Sequence, residues 1–467
     1  MKRRKFALAG MASAAAIGAG LGLPKYARAA LTTTDADRLK SDLTPIGAER
    51  AGNADGTIPA WTGENLPLPS GGPPYALLPD FFASDAKVVT ITVSNMDQYK
   101  DKLSLGTVEM LQRYSSFRVN VYPTHRTAIA SQDVYDNAYK NVTRTQAVPG
   151  GSRMGFTGAY GAIPWPIPDP ADPLEAGAQI IYNHRARWAG ISRKRALLTF
   201  SMINGQRVLI ENVNEIQNRP LYYLDGSPET FDGLLSKTRY DQEGPPAIKG
   251  TSYIEDQSAS ESIVPTMVWE YLSGQSRVRK APDIMNDSPN TEMGDIVNTD
   301  EGYLWNNPLD QYNWRLIGKK EIYVPYNNNK LFLATPDEAM LPQCMNPDMV
   351  RWELHRVWVV EATLHPGYRN VLPRRTFYVD EDTWIISLYE AYDANGNMVH
   401  VGQNYLENRP DIPAVLQSST GTNNFQTDEY VIVTSPFNAP GGNGILDLTP
   451  IPDTFFNPSE MASQQQY

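Results

Sequence analysis

The sequence predicts a mainly β protein with helices, organised on a large, strongly curved antiparallel sheet that has one apolar face. Three observations carry this. Residues 350–364, VRWELHRVWVVEATL, alternate: Val350, Trp352, Leu354, Trp358, Val360, Ala362 and Leu364 fall on one side of an extended chain and mostly polar residues on the other. At roughly 3.3 Å per residue such a strand spans about 50 Å, too long and too one-sided for a small closed sandwich. After the break at His365-Pro366-Gly367, residues 375–380 and 383–393 continue as two more strands, and Ala394-Asn395-Gly396 makes a tight turn, so the three form a meander. Finally, helical spacing is confined to the part before Gly190, and the pattern is mostly β after it.

Even-numbered alternation in both runs predicts that Trp352, Leu354, Trp358, Val360, Trp384, Ile386 and Leu388 share the apolar face. Arg356 interrupts that face. A slip of one residue would expose the tryptophans, so the register is firmly set and the arginine must meet a partner or a water-filled space. The simpler reading is a structural ion pair; the sharper one is a polar anchor inside a ligand cavity lined by these residues.

The chain opens with MKRRKFALAGMASAAAIGAGLGLPKYARAA. A basic start, a small-residue apolar stretch and Ala27-Arg28-Ala29 read as a secretory signal at residues 1–29, with the mature chain starting at Ala30. Arg3-Arg4 with Phe6 fits either a twin-arginine signal or an ordinary one. The formal charge of the 467 residues is −11, and the signal holds Lys2, Arg3, Arg4, Lys5, Lys25 and Arg28 without an acid, leaving the remainder near −17. Such a balance disfavours nucleic acid and anionic membrane surfaces as partners. The single cysteine, Cys344, has no disulfide partner within the chain and reads as a buried small hydrophobe. Residues 30–456 are expected to form one large domain, with a helical part over about 30–190, and 457–467 a flexible tail.

In order, Asn53 and Asp55 in the loop 43–63 read as Asx-turns. Residues 96–114 have helical spacing, with Gly106 a possible break, and residues 127–147 a second helix. Pro173 to Ala189 is the third: Asp172 and Glu175 stand in capping-box positions and Pro173 in the first turn. His184, Arg185 and Arg187 near its end complement the negative end of the helix dipole, a reading taken over a ligand site. Before it, the Gly/Pro-rich loop 150–170 carries Phe156, Tyr160 and Trp165. These either cover a cavity or lie on the sheet as core. Candidate strands follow at 196–202, 207–213, 267–271 and 316–324, and beyond Asp411 only Tyr430 to Val433 has a good strand pattern.

Catalytic motifs are mostly missing. The sequence has no HExxH, Walker loop or CxxC, and no nucleophile–base pair emerges around any serine. His355 and His365 have no spacing that implies a shared zinc, Asp393-Ala394-Asn395 reads as a hairpin turn, and Asp380, Glu381 and Asp382 as an exposed one. No metal and no cofactor is expected.

The blocks LTPIGAERAGNADGTIPAWTG (43–63), SGQSRVRKAP (273–282), YNWRLIGKKEIYVPYN (312–327) and NPDMVRWELHRVWVVEA (346–362) resemble a bacterial family of exported proteins of unknown function, classed with the LolA/LolB-like lipoprotein-carrier fold. The resemblance covers nearly all of the mature chain. It implies an incomplete antiparallel β-barrel with helices packed on or plugging its concave face, hydrophobic cargo, and work beside an RND-type exporter and an outer-membrane protein. Ser276 departs from the family, where a second arginine usually precedes Arg277, which weakens any partner contact of that basic cluster. The reading that joins both lines is a soluble periplasmic carrier for a lipid or other hydrophobic molecule. The rivals are a hydrolase acting on a hydrophobic ester and a structural adaptor of an envelope export complex.

Overall fold

The meander expected at 350–393 is one end of a 16-stranded sheet. The structure, a computed structural model, describes residues 31–69, 77–275, 277–281, 286–437 and 444–464. The expected export signal at 1–29, Ala30 and Ser276 lie outside them. In chain order the strands are β1 (Val89–Ile91), β2 (Val119–Val121), β3 (Ser192–Ile203), β4 (Gln206–Asn218), β5 (Leu234–Gly244), β6 (Ser252–Ser258), β7 (Met267–Leu272), β8 (Arg277–Lys280), β9 (Tyr312–Pro325), β10 (Trp352–Leu364), β11 (Arg374–Asp380), β12 (Ile386–Tyr392), β13 (Met398–Arg409), β14 (Ala414–Asn424), β15 (Glu429–Thr434) and β16 (Ile445–Asp447). The main helices are α1 (Leu105–Arg113), α2 (Gln132–Arg144), α3 (Pro173–Ala186) and α4 (Pro458–Gln464).

Hydrogen-bonded neighbours run β9–β10–β11–β12–β13–β14–β15–β3–β4–β5–β6–β7–β8, all antiparallel. No pairing joins β8 to β9 among the described residues, so the barrel stays incomplete. The sheet nevertheless wraps around α3. Ile180, Ile181 and Tyr182 pack with Trp314, Val360, Phe377 and Trp384. At the helix's far end, Arg185 donates to the Ser258 carbonyl at the close of β6 (3.1 Å), and Arg219, just past β4, donates to the Arg185 carbonyl (3.3 Å). One helix touching both ends of a strand path needs a strongly curved sheet. The helix is buried continuously from Ala176 to Ala186, as a plug must be. Gly177 lets it lie against β9: a Cβ there would stand 2.6 Å from the Trp314 carbonyl oxygen.

The helix starts as expected, the Asp172 carboxylate accepting from the Leu174 and Glu175 amides. Glu175 does not close a capping box; it accepts from the Ser152 amide and ties down the loop before the helix. On the convex side α1 covers β12 and β13. Its break from the preceding 3-10 turn falls at Leu103-Ser104, with Ser104 as cap, while Gly106 sits inside the helix and donates to Glu390 Oε1 at 2.7 Å.

Four strands escaped the sequence pattern because polar residues are buried in them. In β14, AVLQSSTGTNN, every residue is buried. Gln417 donates to Asn404 Oδ1 and Ser418 to Glu407, which offsets the desolvation. β5, β6 and β13 are likewise mixed. Of the expected flexible tail at 457–467, residues 465–467 lie outside the described residues. Residues 458–464 form α4, whose Met461 is fully buried with Ile254 and Tyr271.

Candidate functional site

The residues expected to line a cavity sit in well-packed surroundings. Trp358, Val360, Trp384 and Ile386 join the cluster around α3, and Trp352, Leu354 and Leu388 the cluster under α1. Leu388 does not share the face of Ile386. Tyr378 pairs with Leu388 and Val379 with Ile386, so Ser387 is an extra residue that reverses the alternation. Trp384 is not on the strand but in the turn before it, at φ +59°, its indole N–H held by the Ile46 carbonyl (2.9 Å). It still stacks on Trp358, ring centroids 6.3 Å apart and planes 12° from parallel, and Lys319 stands 4.3 Å over the Trp358 ring.

Arg356 is matched from several sides. It donates to the Ala51 carbonyl (2.9 Å) and faces Glu381 (3.5 Å), Glu321 (3.5 Å) and Glu49 (3.7 Å). Asp380, Glu381 and Asp382 are not an exposed turn; all three are buried. Arg126 grips Asp382 (2.9 and 2.7 Å), and Lys319 holds Glu381 at 2.6 Å. His355, Asp380 and Asp382 bring donor atoms within 4.8 Å of one another, the spacing a metal ion needs, but their charges are already matched. His355 lies between Glu353 (3.3 Å) and Asp380 (3.5 Å) and stacks on Tyr326. Burial opposes its charge, yet the two carboxylates outweigh burial and push it up to about 9.

Phe156 and Trp165 lie in the core as an edge-to-face pair. Tyr160 is buried too, its hydroxyl on the Tyr223 carbonyl (2.6 Å), and it lines a groove of about 330 Å³ with Asp133, Arg144 and Leu224. The loop 150–170 is therefore core along most of its length. Cys344 is buried, which raises its thiol to about 11.

A mostly apolar cavity lies on the concave face of the other half of the sheet. Pairings Thr199–Glu211, Leu197–Val213, Arg195–Glu215 and Arg193–Gln217 put these residues in one row, and β5 adds Tyr240 and Gln242. Residues 286–304 cross over them. Leu197, Val213, Val433, Met293 and Tyr303 enclose about 100 Å³, mostly apolar, with Glu211 at its edge. Burial raises the Glu211 carboxyl, and Thr199 and Gln242 donate to it. Tyr303 has φ +53° and the following Leu304 +69°. Two successive non-glycine residues in the left-handed region cost free energy that the surroundings must supply. Here the Tyr303 hydroxyl donates to Glu215 (3.1 Å) and accepts from Arg195 (3.0 Å). Sequence reasoning missed this site because its strands mix charged and apolar residues on one face. The basic residues around 184–187 were the available signal.

Residues 90–462 match the family described as "Protein of unknown function (DUF1329)". An uncharacterized protein of Pseudomonas aeruginosa is 36% identical over 383 residues, covering 81% of this chain and 82% of that protein. Among solved structures, a DUF1329 family protein from Desulfovibrio piger aligns with 62% of this chain and 100% of its own, at 13% identity and a TM-score of 0.43. A LolA superfamily protein from Nitrosomonas europaea aligns with 60% of this chain and 97% of its own, at 10% identity and a TM-score of 0.33.

Proposed function

The chain belongs to the DUF1329 family of proteins of unknown function, and from that premise we propose that it is a binding protein that carries a hydrophobic molecule on the concave face of its open sheet. The single observation behind this is the apolar cavity between Leu197, Val213 and Val433 of the sheet and Met293 and Tyr303 of the segment above them. At about 100 Å³ it is smaller than the roughly 300 Å³ of a typical small-molecule site, so it takes the end of an apolar chain. Each methylene buried there contributes roughly 0.8 kcal/mol before ordering costs. In this reading Trp352, Leu354, Trp358, Val360, Trp384, Ile386 and Leu388 form the packed support that keeps the sheet curved, and Arg356 anchors it. The place of action is the periplasm. The signal-like residues 1–29 favour export, and no helix among the described residues is long and apolar enough to cross a membrane.

Titration of a fluorescent fatty acid tests the proposal. The folded wild type is expected to bind it, and Val213→Trp, which fills the cavity, to weaken binding while circular dichroism stays unchanged. A folded wild type that takes up no apolar probe would refute the carrier reading. Equal binding by wild type and a folded Val213→Trp would move the site elsewhere.

A further inference from the structure

Next to the apolar cavity, where α3 ends, arginines converge from three elements. Arg185 and Arg187 come from the end of α3, Arg193 and Arg195 from β3, and Arg219 from the residue after β4. Arg185, Arg187, Arg193 and Arg219 line a polar cavity of about 30 Å³, and Arg195 reaches its edge through Tyr303 and Glu215. Tyr240 and Tyr303 line both cavities, so the two are successive parts of one track along the strands.

The charges in this track do not balance. The carboxylates beside the arginines are Glu215 and Glu255; Glu211 and Glu292 line the apolar part of the track, where burial raises both. Glu215 is fully buried and taken up by Arg193 and Arg195, whose charges hold it at about 2 against the effect of burial. Glu255 has Arg185 for its main cation. Arg187 and Arg219 have carbonyls and an amide for partners: Arg187 donates to the His184 carbonyl and to Gln417 (both 2.6 Å), and Arg219 to the Arg187 carbonyl at 2.8 Å. Arg185 and Arg219 are only 4% and 6% exposed, and each keeps an Nε with no acceptor. Burial together with the neighbouring guanidinium of Arg193 lowers Arg219 to about 10. The C-terminal end of the α3 dipole favours one or two cations there, not five. Buried guanidinium groups without counter-charge are costly, and an oxyanion accepting their free N–H groups relieves that cost with strong, charge-assisted hydrogen bonds.

We propose that this arginine cavity binds the oxyanion headgroup of an anionic amphiphile whose apolar chain runs past Tyr240 and Tyr303 into the Leu197–Val213 cavity. The inference rests on the carrier reading for the chain and adds the headgroup class. Tyr303 joins the two parts: it lines both cavities and its hydroxyl meets the Arg195–Glu215 pair, which gives the strained backbone at this residue a role.

Calorimetric titration of the full-length mature protein with decyl phosphate, decanol and inorganic phosphate, each below any micelle concentration, tests it. Decyl phosphate is expected to bind roughly tenfold or more tightly than decanol, with the advantage shrinking as salt is raised, and phosphate alone only weakly. Arg219→Met is expected to remove most of that advantage and leave decanol binding unchanged. Arg187→Met serves as the second variant if Arg219→Met does not fold. Equal binding of decanol and decyl phosphate by the wild type overturns the headgroup site and leaves the carrier reading intact. Binding of neither overturns both. Phosphate binding as tight as decyl phosphate overturns the amphiphile and leaves a free-anion site. An advantage that persists in both folded arginine variants overturns the assignment to this cavity.

Discussion

At the scale of single residues, the interior is held by charges that are expensive to bury and matched with care. Arg375 and Asp300 are both fully buried and 2.5 Å apart, with Asn370 donating to the same carboxylate. Arg375→Met strands Asp300 without a cation and is expected to cost about 3–5 kcal/mol in urea unfolding. Adding Asp300→Asn to it is expected to restore much of the loss. His355 gives a pH signature. Its folded value of about 9 lies above the ordinary unfolded value of roughly 6.5, so its stabilisation is complete below the latter and is lost as pH rises through the former. Stability of the wild type is therefore expected to fall between about pH 6.5 and 9 by a few kcal/mol more than that of His355→Gln. Parallel slopes in denaturant titrations of the two across that window would show that the histidine does not carry it.

At the scale of elements, α3 is the piece on which the concave face depends. It fills the space under β9, β10 and β11, and its end delivers Arg185 and Arg187 to the other half of the sheet. Its close approach to β9 rests on the absence of a side chain at Gly177. Gly177→Leu is expected to force the helix away from the Trp314 carbonyl and to destabilise the fold by about 1–3 kcal/mol. The measurement is the urea midpoint, with near-ultraviolet dichroism reporting the repacking of Trp305 and Trp314, whose rings meet edge to face at 4.9 Å. The β-bulge at Ser387 works at the same scale. One added residue sends Leu388 to the convex side under α1 while Ile386 stays with α3.

At the scale of the whole molecule, an open sheet curled around a helix leaves its second half lined by charge and bridged by the segment 286–304. A ligand bound in that track as proposed would link the sheet to the segment and so couple binding to stability. Protein isolated from its native host under gentle conditions is expected to show a bound amphiphile as added mass in native mass spectrometry, and extraction to lower its melting temperature. Re-addition at 100 times Kd is expected to restore about 2.7 kcal/mol. A melting temperature unaffected by extraction and by re-addition would mean that nothing bound there distinguishes the folded from the unfolded chain.

The strands that alternate cleanly were legible from residues alone. Residues 350–364 and 375–380 fall within a residue or two of β10 and β11, the start of α3 at Pro173 is fixed by Asp172, and the Asp393 turn forms as its Asn-Gly pair predicts. Local chemistry decides these features: period-two alternation sets which face a strand buries, and capping or turn side chains satisfy backbone groups a few residues away. The site was not legible in the same way. Arg185 and Arg187 looked like ordinary dipole complements, because nothing in their neighbourhood says that Arg193, Arg195 and Arg219 will meet them. Asp380, Glu381 and Asp382 looked like a solvated turn, because Arg126 and Lys319 approach them only through the fold. The sequence by itself determined the mainly β class, the apolar run at the start of the meander and the local ends of its elements. Only the tertiary structure decided where the charges are buried and which of them lack partners, since a buried charge is settled by groups far apart in the chain and brought together by the curvature of the sheet.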